Sequence, residues 1–424
     1  MTYKEALDYI HSLYWRGKKS GLLKTKELLE LCGHPERELK CIHIAGTNGK
    51  GSTAAMLDSI CRCAGMKTGL YTSPYIVRYN ERIQVEGKQI PDEALVRLTE
   101  YLAGLAEQME VPPSEFEFGT VLAFLYFKEQ NCDLVILETG LGGTFDSTNV
   151  IEHPLLCMIT ALGFDHTAQL GNTMTEIAQA KAGIIKSGVP VVFYGNNKEG
   201  EAVVRQCCET LGATFSMPDF SELVCESVGS LKECQRFSYK QWKGMILALR
   251  GLYQQKNAAL VLEAVKQLRL QGVALPESAV RKGLCQVQWQ ARLEVLREKP
   301  LLLADGSHNP QGMAATVESL RQYFPEKRLQ FVFGAMSDKE LDVMLPLFLP
   351  LAKKVYLTAP SMPRAEAPEQ LLLLCEKLCV PGTEFVVCPK ITDVLSFLEK
   401  ESEEEIIVII GSLYLVGEIK QVLM

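Results

Sequence analysis

The sequence predicts an α/β protein in two domains, a larger one over residues 1–290 and a smaller one over 291–424, each built on a mainly parallel sheet. Three observations carry this. Short apolar runs at Leu39–Ala45 and Asp133–Leu137 lead straight into glycine-rich loops. After residue 300, five apolar strands (Leu301–Ala304, Leu329–Gly334, Lys354–Thr358, Glu384–Cys388 and Ile406–Ile410) alternate with helical segments. Between Ala213 and Leu249 the pattern changes to short β-rich runs, Val224–Val228 and Phe237–Ala248, which reads as a small antiparallel subsheet beside the parallel one.

Composition narrows the functional classes. A chain of 424 residues exceeds a single ordinary domain. Its net charge of −7 argues against a nucleic-acid partner held by phosphate contacts. The 14 cysteines are dispersed without a Cys-x-x-Cys pair, so they read as reduced cytosolic thiols. Residues Met1–Glu5 carry no apolar signal region, and the longest apolar stretch, Met344–Ala352, is broken by Pro346 and Pro350. No membrane partner is expected.

In chain order, Tyr3–Leu31 has apolar positions at helical spacing, interrupted near Gly17–Gly21, and reads as one or two amphipathic helices. The run Leu39–Ala45 follows as a buried strand, and Ser52–Ala64 as a helix. Between them lie Gly46, Thr47, Asn48, Gly49, Lys50 and Gly51. Glycines let backbone N–H groups approach an anion, the helix N-terminus adds a favourable dipole, and Lys50 supplies charge for β- and γ-phosphates. The loop departs from the usual G-x-x-x-x-G-K-[ST] pattern, with Ile44 at the first glycine position and Gly51 between Lys50 and Ser52.

Gly69–Tyr75 reads as a second short strand and turn, and Pro91–Gln108 as an exposed helix. A more apolar helix, from Phe116 to near Gln130, has Glu117 at its dipole-favoured start. The strand Asp133–Leu137 then delivers Glu138 at its carboxyl end, where open α/β sheets do their chemistry. A carboxylate beside a phosphate loop is a natural ligand for the Mg²⁺ of a nucleotide. Leu155–Ala161 is the next strand, Thr175–Lys186 a helix holding Lys181, Val189–Tyr194 a further strand, and Ala258–Leu270 a helix. Gln288–Glu294 reads as the interdomain linker, and Glu401–Glu405 as a solvated charge cluster.

Several of these residues fall into ordered motifs. Gly46–Ser52 resembles the ATP loop of the Mur ligase superfamily. Glu138–Asn149 resembles the Glu-Thr-Gly-Leu-Gly-Gly-Arg-x-Asp-x-Thr-Asn signature of folylpolyglutamate and dihydrofolate synthases, and Asp305–Pro310 resembles their Asp-Gly-Ala-His-Asn-Pro. The resemblance runs over essentially the whole chain. It implies a Mur-ligase-like P-loop ATPase domain followed by a Rossmann-like glutamate ligase domain, closing around ATP. It also implies ATP-dependent amide formation between a folate or dihydropteroate carboxylate and L-glutamate through an acyl phosphate, in a cytoplasmic monomer. ATP, two Mg²⁺ ions and K⁺ are the implied cofactors.

Site roles follow by resemblance. Gly46, Thr47, Asn48, Gly49, Lys50, Gly51 and Ser52 would hold ATP, with Asn257, Arg292 and Asp305 as further nucleotide contacts. Ser52, Ser73, Glu138, His166 and a carbamylated Lys181 would serve the metals. Pro74, Tyr75, Arg82 and Glu117 would line the acid substrate, and His308 would lie near the reacting centre with Lys50 and Lys181. From chemistry alone Ser73 reads as a turn residue, Arg82 as a surface one and Arg292 as a solvated linker, while Lys181 also suits the cap of an apolar face and Asp305 equally suits a turn. Four positions depart from the family pattern: Tyr75 and Tyr253 stand for histidines, Thr144 for arginine and Ala291 for glycine. Two other readings stay open: a related amide ligase with a diverged acid substrate, and a P-loop ATPase without ligase chemistry. A ligase for cell-wall precursors would need a UDP-binding domain ahead of the loop, for which the preceding chain is too short.

Overall fold

The strand Cys41–Ala45 is buried at every position, as is Leu134–Glu138 beside it. Continuous burial of this kind requires a sheet covered on both faces. A computed structural model, which describes residues 1–13, 21–378 and 380–423, shows that sheet. Its order is Lys88–Gln89, Ile83–Val85, Thr68–Tyr71, Leu134–Glu138, Cys41–Ala45, Leu156–Ile159, Val191–Phe193 and Phe215–Ser216. From Thr68–Tyr71 onward the pairs are parallel. The register sets Ile44 beside Glu138 and Ala45 beside Ile159. The expected helix break near Gly17 lies outside the described residues, but helices Tyr3–Ser12 and Leu23–Leu31 flank it.

The chain divides into two compact units, residues 1–223 with 256–287, and residues 224–255 with 288–424. In the second unit the sheet order is Glu294–Glu298, Leu301–Ala304, Ile406–Ile410, Leu329–Phe333, Ala352–Leu357 and Glu384–Val387. Only the first pair is antiparallel.

Local details differ from the sequence reading. The run Phe237–Ala248 is not one strand: it ends at Tyr239, turns through Lys240 at φ 47°, and resumes at Trp242–Leu247. Leu223–Ser227 completes this three-stranded sheet. Residues 224–255 group with the second unit rather than with residues 1–223. Their end is fastened there: Gly251 N donates to the Tyr323 hydroxyl at 3.1 Å and Leu252 N to Ser319 Oγ at 3.0 Å. The linker expected at 288–294 runs straight into an edge strand. Helix Asp92–Ala106 is amphipathic rather than exposed, burying Leu95, Leu98, Thr99 and Leu102.

The acidic run after residue 400 is not simply solvated. Glu401 accepts from Gln330 Nε2 at 2.7 Å, Lys354 Nζ at 2.9 Å and the Tyr356 hydroxyl. Burial works against the Glu401 charge, but these three donors win and hold its pKa below the usual carboxylate range.

Candidate active site

The phosphate loop is shaped by two close approaches. Gly46 has φ 148°, and a Cβ there would sit 1.8 Å from Thr160 Oγ1. Gly49 caps the helix Lys50–Cys63 at φ 88°, with Asn257 Oδ1 2.9 Å from where its Cβ would be. Glycine is required at both positions. Thr47 N and Asn48 N donate to Ala161 O at 2.9 and 3.2 Å, and the Thr47 hydroxyl donates to Gly163 O at 3.0 Å. Thus the loop is braced by the end of the neighbouring strand. Lys50 lies in the first helical turn with Nζ 3.2 Å from Thr47 O, and Gly51 and Ser52 follow, buried, in the same turn.

Around this loop the structure gathers three of the expected residues. Glu138 is 4% exposed and accepts from Ser73 N at 3.3 Å, which brings the turn Ser73–Pro74 to the strand end. Lys181 is 3% exposed and donates to Gly46 O at 2.7 Å. Burial, with Lys50 nearby, pushes the Lys181 amine down to about 7 against the pull of Asp165 and Asp146. Asn257 closes the loop from the helix Tyr253–Leu270. His166 caps the short helix Thr167–Leu170 at φ 52°, its side chain 41% exposed and Nε2 3.9 Å from Asp165.

A second group lies along the segment after Ser73. The Arg82 guanidinium sits over the rings of Tyr75 at 5.2 Å and Tyr79 at 5.4 Å, with Glu115 at 3.7 Å. Burial opposes its charge, but the surrounding tyrosines and Glu115 hold its pKa above the ordinary arginine value. Glu117 closes a capping box: Ser114 N donates to its Oε2 at 2.6 Å, so the carboxylate starts the helix Glu115–Glu129.

In the second unit Asp305 is 1% exposed and accepts four hydrogen bonds: from Leu293 N at 3.0 Å, Tyr253 OH at 3.2 Å, Ser307 N at 3.0 Å and Thr316 Oγ1 at 2.8 Å. Arg292 Nη1 donates to Ala291 O at 2.7 Å, and His308 Nδ1 lies 2.8 Å from Gly306 O. A cavity of about 580 Å³ lined by Lys26, His34, Glu36, Arg37, Glu152 and His153 lies on the Leu39 side of the Cys41–Ala45 strand, at the end away from the phosphate loop.

A family model for the Mur ligase middle domain matches residues 44–265, and one for the Mur ligase glutamate ligase domain matches 291–413. A dihydrofolate synthase/folylpolyglutamate synthase of Bacillus subtilis is 38% identical, over 99% of both chains. The chain belongs to the folylpolyglutamate and dihydrofolate synthase family of Mur ligases. A folylpolyglutamate synthase of Lacticaseibacillus casei is 34% identical, over 100% of this chain and 99% of its own. The structure of Mycobacterium tuberculosis folylpolyglutamate synthase complexed with ADP superimposes with a TM-score of 0.88 at 28% identity, covering 99% of this chain and 98% of that one.

As a member of this family the protein is an ATP-dependent, amide-forming ligase. Its departures from the family pattern have local physical partners. Tyr75 supplies a ring face to Arg82. Thr144 binds Ala180 O through both its N–H, at 2.8 Å, and its hydroxyl, at 3.1 Å. Tyr253 donates to Asp305. Ala291 adopts φ 53°, a conformation that glycine takes at lower cost. Sequence reading assigned no role to Asp165 or Asp146, the two acids that act on Lys181; the Asp-x-Thr-Asn spacing was the available signal for Asp146. Among the described residues no helix is long and apolar enough to cross a membrane.

Proposed function

We propose that this ligase joins L-glutamate to the carboxylate of a reduced folate or of dihydropteroate. The observation that carries the reading is the convergence of Lys50, Glu138 and Lys181 on one braced phosphate loop. The substrate carboxylate attacks the γ-phosphorus of ATP, the bond to the bridging oxygen of ADP breaks, and an acyl phosphate results. The glutamate amine then attacks the acyl carbon, loses a proton, and expels phosphate. Lys50 and the N-terminus of the helix Lys50–Cys63 stabilise charge growing on the phosphoryl oxygens, while the Thr47 and Asn48 N–H groups brace the loop on Ala161 O. Asn257 orders the loop at Gly49; in the second unit Arg292 and His308 are the candidate contacts, while Asp305 is held by four donors of its own unit. Pro74, Tyr75 and Arg82 present a cationic, aromatic surface to the acid, with Glu117 behind it.

The donor set fits magnesium. Glu138 with the hydroxyls of Ser52 and Ser73 is an oxygen set, and the described residues contain no cluster of three acidic, histidine or cysteine ligands that would form a closed protein cage. A magnesium ion shared with nucleotide phosphates matches that sparse set and would add Lewis-acid stabilisation of the phosphoryl oxygens. For a second ion, His166 and Lys181 are the candidates. A buried amine whose pKa is lowered to about 7 is partly neutral at physiological pH, the form that adds CO₂ to become an anionic carbamate ligand. Potassium is a further activator in this reading, and the enzyme a cytoplasmic monomer.

A product assay tests the proposal. Purified protein receives ATP, Mg²⁺ and L-glutamate with either dihydropteroate or a reduced folate, and products are weighed by mass spectrometry. The expected result is an ATP-dependent gain of one glutamate residue. No gain with either acid, despite ATP binding, would overturn the substrate assignment and favour a diverged acid read by Tyr75 and Thr144.

A further inference from the structure

His43 stands three residues ahead of the phosphate loop, in the strand that leads into it. It lies mid-strand between Leu137 and Cys157 and is fully buried. Its Nε2 is 2.7 Å from Thr148 Oγ1. The Thr148 hydroxyl donates in turn to Asp146 Oδ1 at 2.5 Å, and Thr148 N donates to the same oxygen at 3.0 Å. Leu141 N donates to Asp146 Oδ2 at 2.8 Å. Burial raises the Asp146 pKa, but both carboxylate oxygens accept N–H donors, the pattern of the ionised form. A threonine hydroxyl has one proton, and here it is committed to Asp146. The proton in the His43–Thr148 contact therefore belongs to the imidazole, on Nε2. Nδ1 is then the bare nitrogen, consistent with its having no hydrogen-bond partner among the described residues. Burial keeps this ring neutral, with its pKa down at about 3.

This chain of contacts fastens the segment that connects two proposed metal-side residues. The segment leaves Glu138, with Thr139 N on Ile44 O at 2.9 Å. It reaches the Lys181 helix through Thr144 on Ala180 O, at 2.8 Å from the N–H. Asn149 Nδ2 ties its end to Thr144 O at 3.1 Å and Gly183 O at 3.0 Å.

We infer that His43 and Thr148 are positioning residues: the imidazole Nε2–H, acting through the Thr148 hydroxyl on Asp146, holds the 139–149 segment so that Glu138 and Lys181 stand at the spacing the metal–nucleotide complex requires. The inference rests on the metal-side reading of Glu138 and Lys181 proposed above. It links two motifs that are far apart in sequence through one buried hydrogen-bonded line.

Two measurements on the full chain test it. In ¹⁵N NMR of histidine-labelled protein, His43 should show a protonated Nε2 and a bare Nδ1; the opposite tautomer overturns the relay. Binding of Mn²⁺ in the presence of ADP is then followed by electron paramagnetic resonance. Thr148→Val, which keeps the volume and deletes the hydroxyl, should weaken Mn²⁺ binding about 10-fold, in the range seen when groups supporting metal ligands are removed. Metal-free ADP affinity should change less than about twofold. Thr148→Ser should restore Mn²⁺ binding. His43→Gln, with an amide N–H near the Nε2 position, should also stay close to wild type, and serves if the valine variant does not fold. Serine as impaired as valine, or valine equal to wild type, overturns the inference. Glu138→Ala separates the two layers. If it binds Mn²⁺ normally, the metal assignment fails and the inference with it; if it is impaired while Thr148→Val is not, the relay alone fails.

Discussion

Two strand ends in this molecule share a local plan and put it to different use. Cys41–Ala45 and Leu301–Ala304 each run into a loop containing glycine and then into a helix, Lys50–Cys63 and Pro310–Tyr323. At the first, the loop conformation is set by backbone contacts and by glycines at positive φ, and cationic side chains crowd around it. Lys181 is driven toward its neutral form by burial beside Lys50. At the second, the acidic residue is absorbed by its own unit. Asp305 takes donors from Leu293, Tyr253, Ser307 and Thr316, so its carboxylate joins the start of the edge strand, the end of the 224–255 segment and the following helix. The lesson is that donors aimed at a strand-end acid from several elements of its own unit tie that acid into the fold as a joint.

That contrast can be broken experimentally, and the largest effect is expected at the phosphate loop. Lys50→Ala should lower ATP-dependent product formation by about 10²-fold or more, the range for removing a charge-stabilising donor. Its melting temperature should stay near wild type. Near-normal turnover would take the loop out of catalysis. Glu138→Ala should lower activity and raise the magnesium concentration needed for half-maximal rate by about 10-fold or more. An unchanged magnesium titration would remove Glu138 from the metal.

Asp305→Asn addresses the other strand end. An amide in place of a carboxylate turns an NH₂ toward groups that are themselves donors. A cost of about 2–4 kcal/mol in stability is expected, read by urea unfolding. If stability held and only the KM for ATP rose, Asp305 would belong with the nucleotide contacts and the comparison would collapse.

A smaller, pH-dependent effect is expected at His43. Its folded pKa lies near 3, below its ordinary value of 6.5, so between those pH values the unfolded chain binds the extra proton. Stability therefore falls as pH drops through that window, by about 2 kcal/mol at pH 5. His43→Gln should lose less stability than wild type between pH 7 and 5; parallel curves would mean that the ring is protonated when folded. Smallest of all, Glu117→Gln should cost about 1 kcal/mol or less through its capping box. The KM for the acid substrate should move less than twofold. A larger change in KM would place Glu117 in the site.

Much of the fold was legible in the sequence because its signals are local. Doubly buried strands read as unbroken apolar runs, and loop glycines mark backbone that no other residue adopts easily. Lys50 and Glu138 could be found because each stands at a fixed offset from such a run. Arg82 and Lys181 could not be decided from chemistry alone. Only folding puts one beneath two tyrosine rings and the other against Gly46 O.

By itself, then, the sequence determined the central strands of the two parallel sheets and most of the helices, the glycine-rich loop and the acid that ends the neighbouring strand. Tertiary structure decided that residues 224–255 go with the second unit, that Glu401 and Asp305 are joints, that Glu117 closes a helix cap, and that His43 reaches Asp146 through Thr148. The physical reason is the range of the interactions. Periodicity and backbone preference act over a few residues and are written along the chain. The partners that satisfy a buried polar group come mostly from elements distant in sequence, and they exist only once those elements have packed.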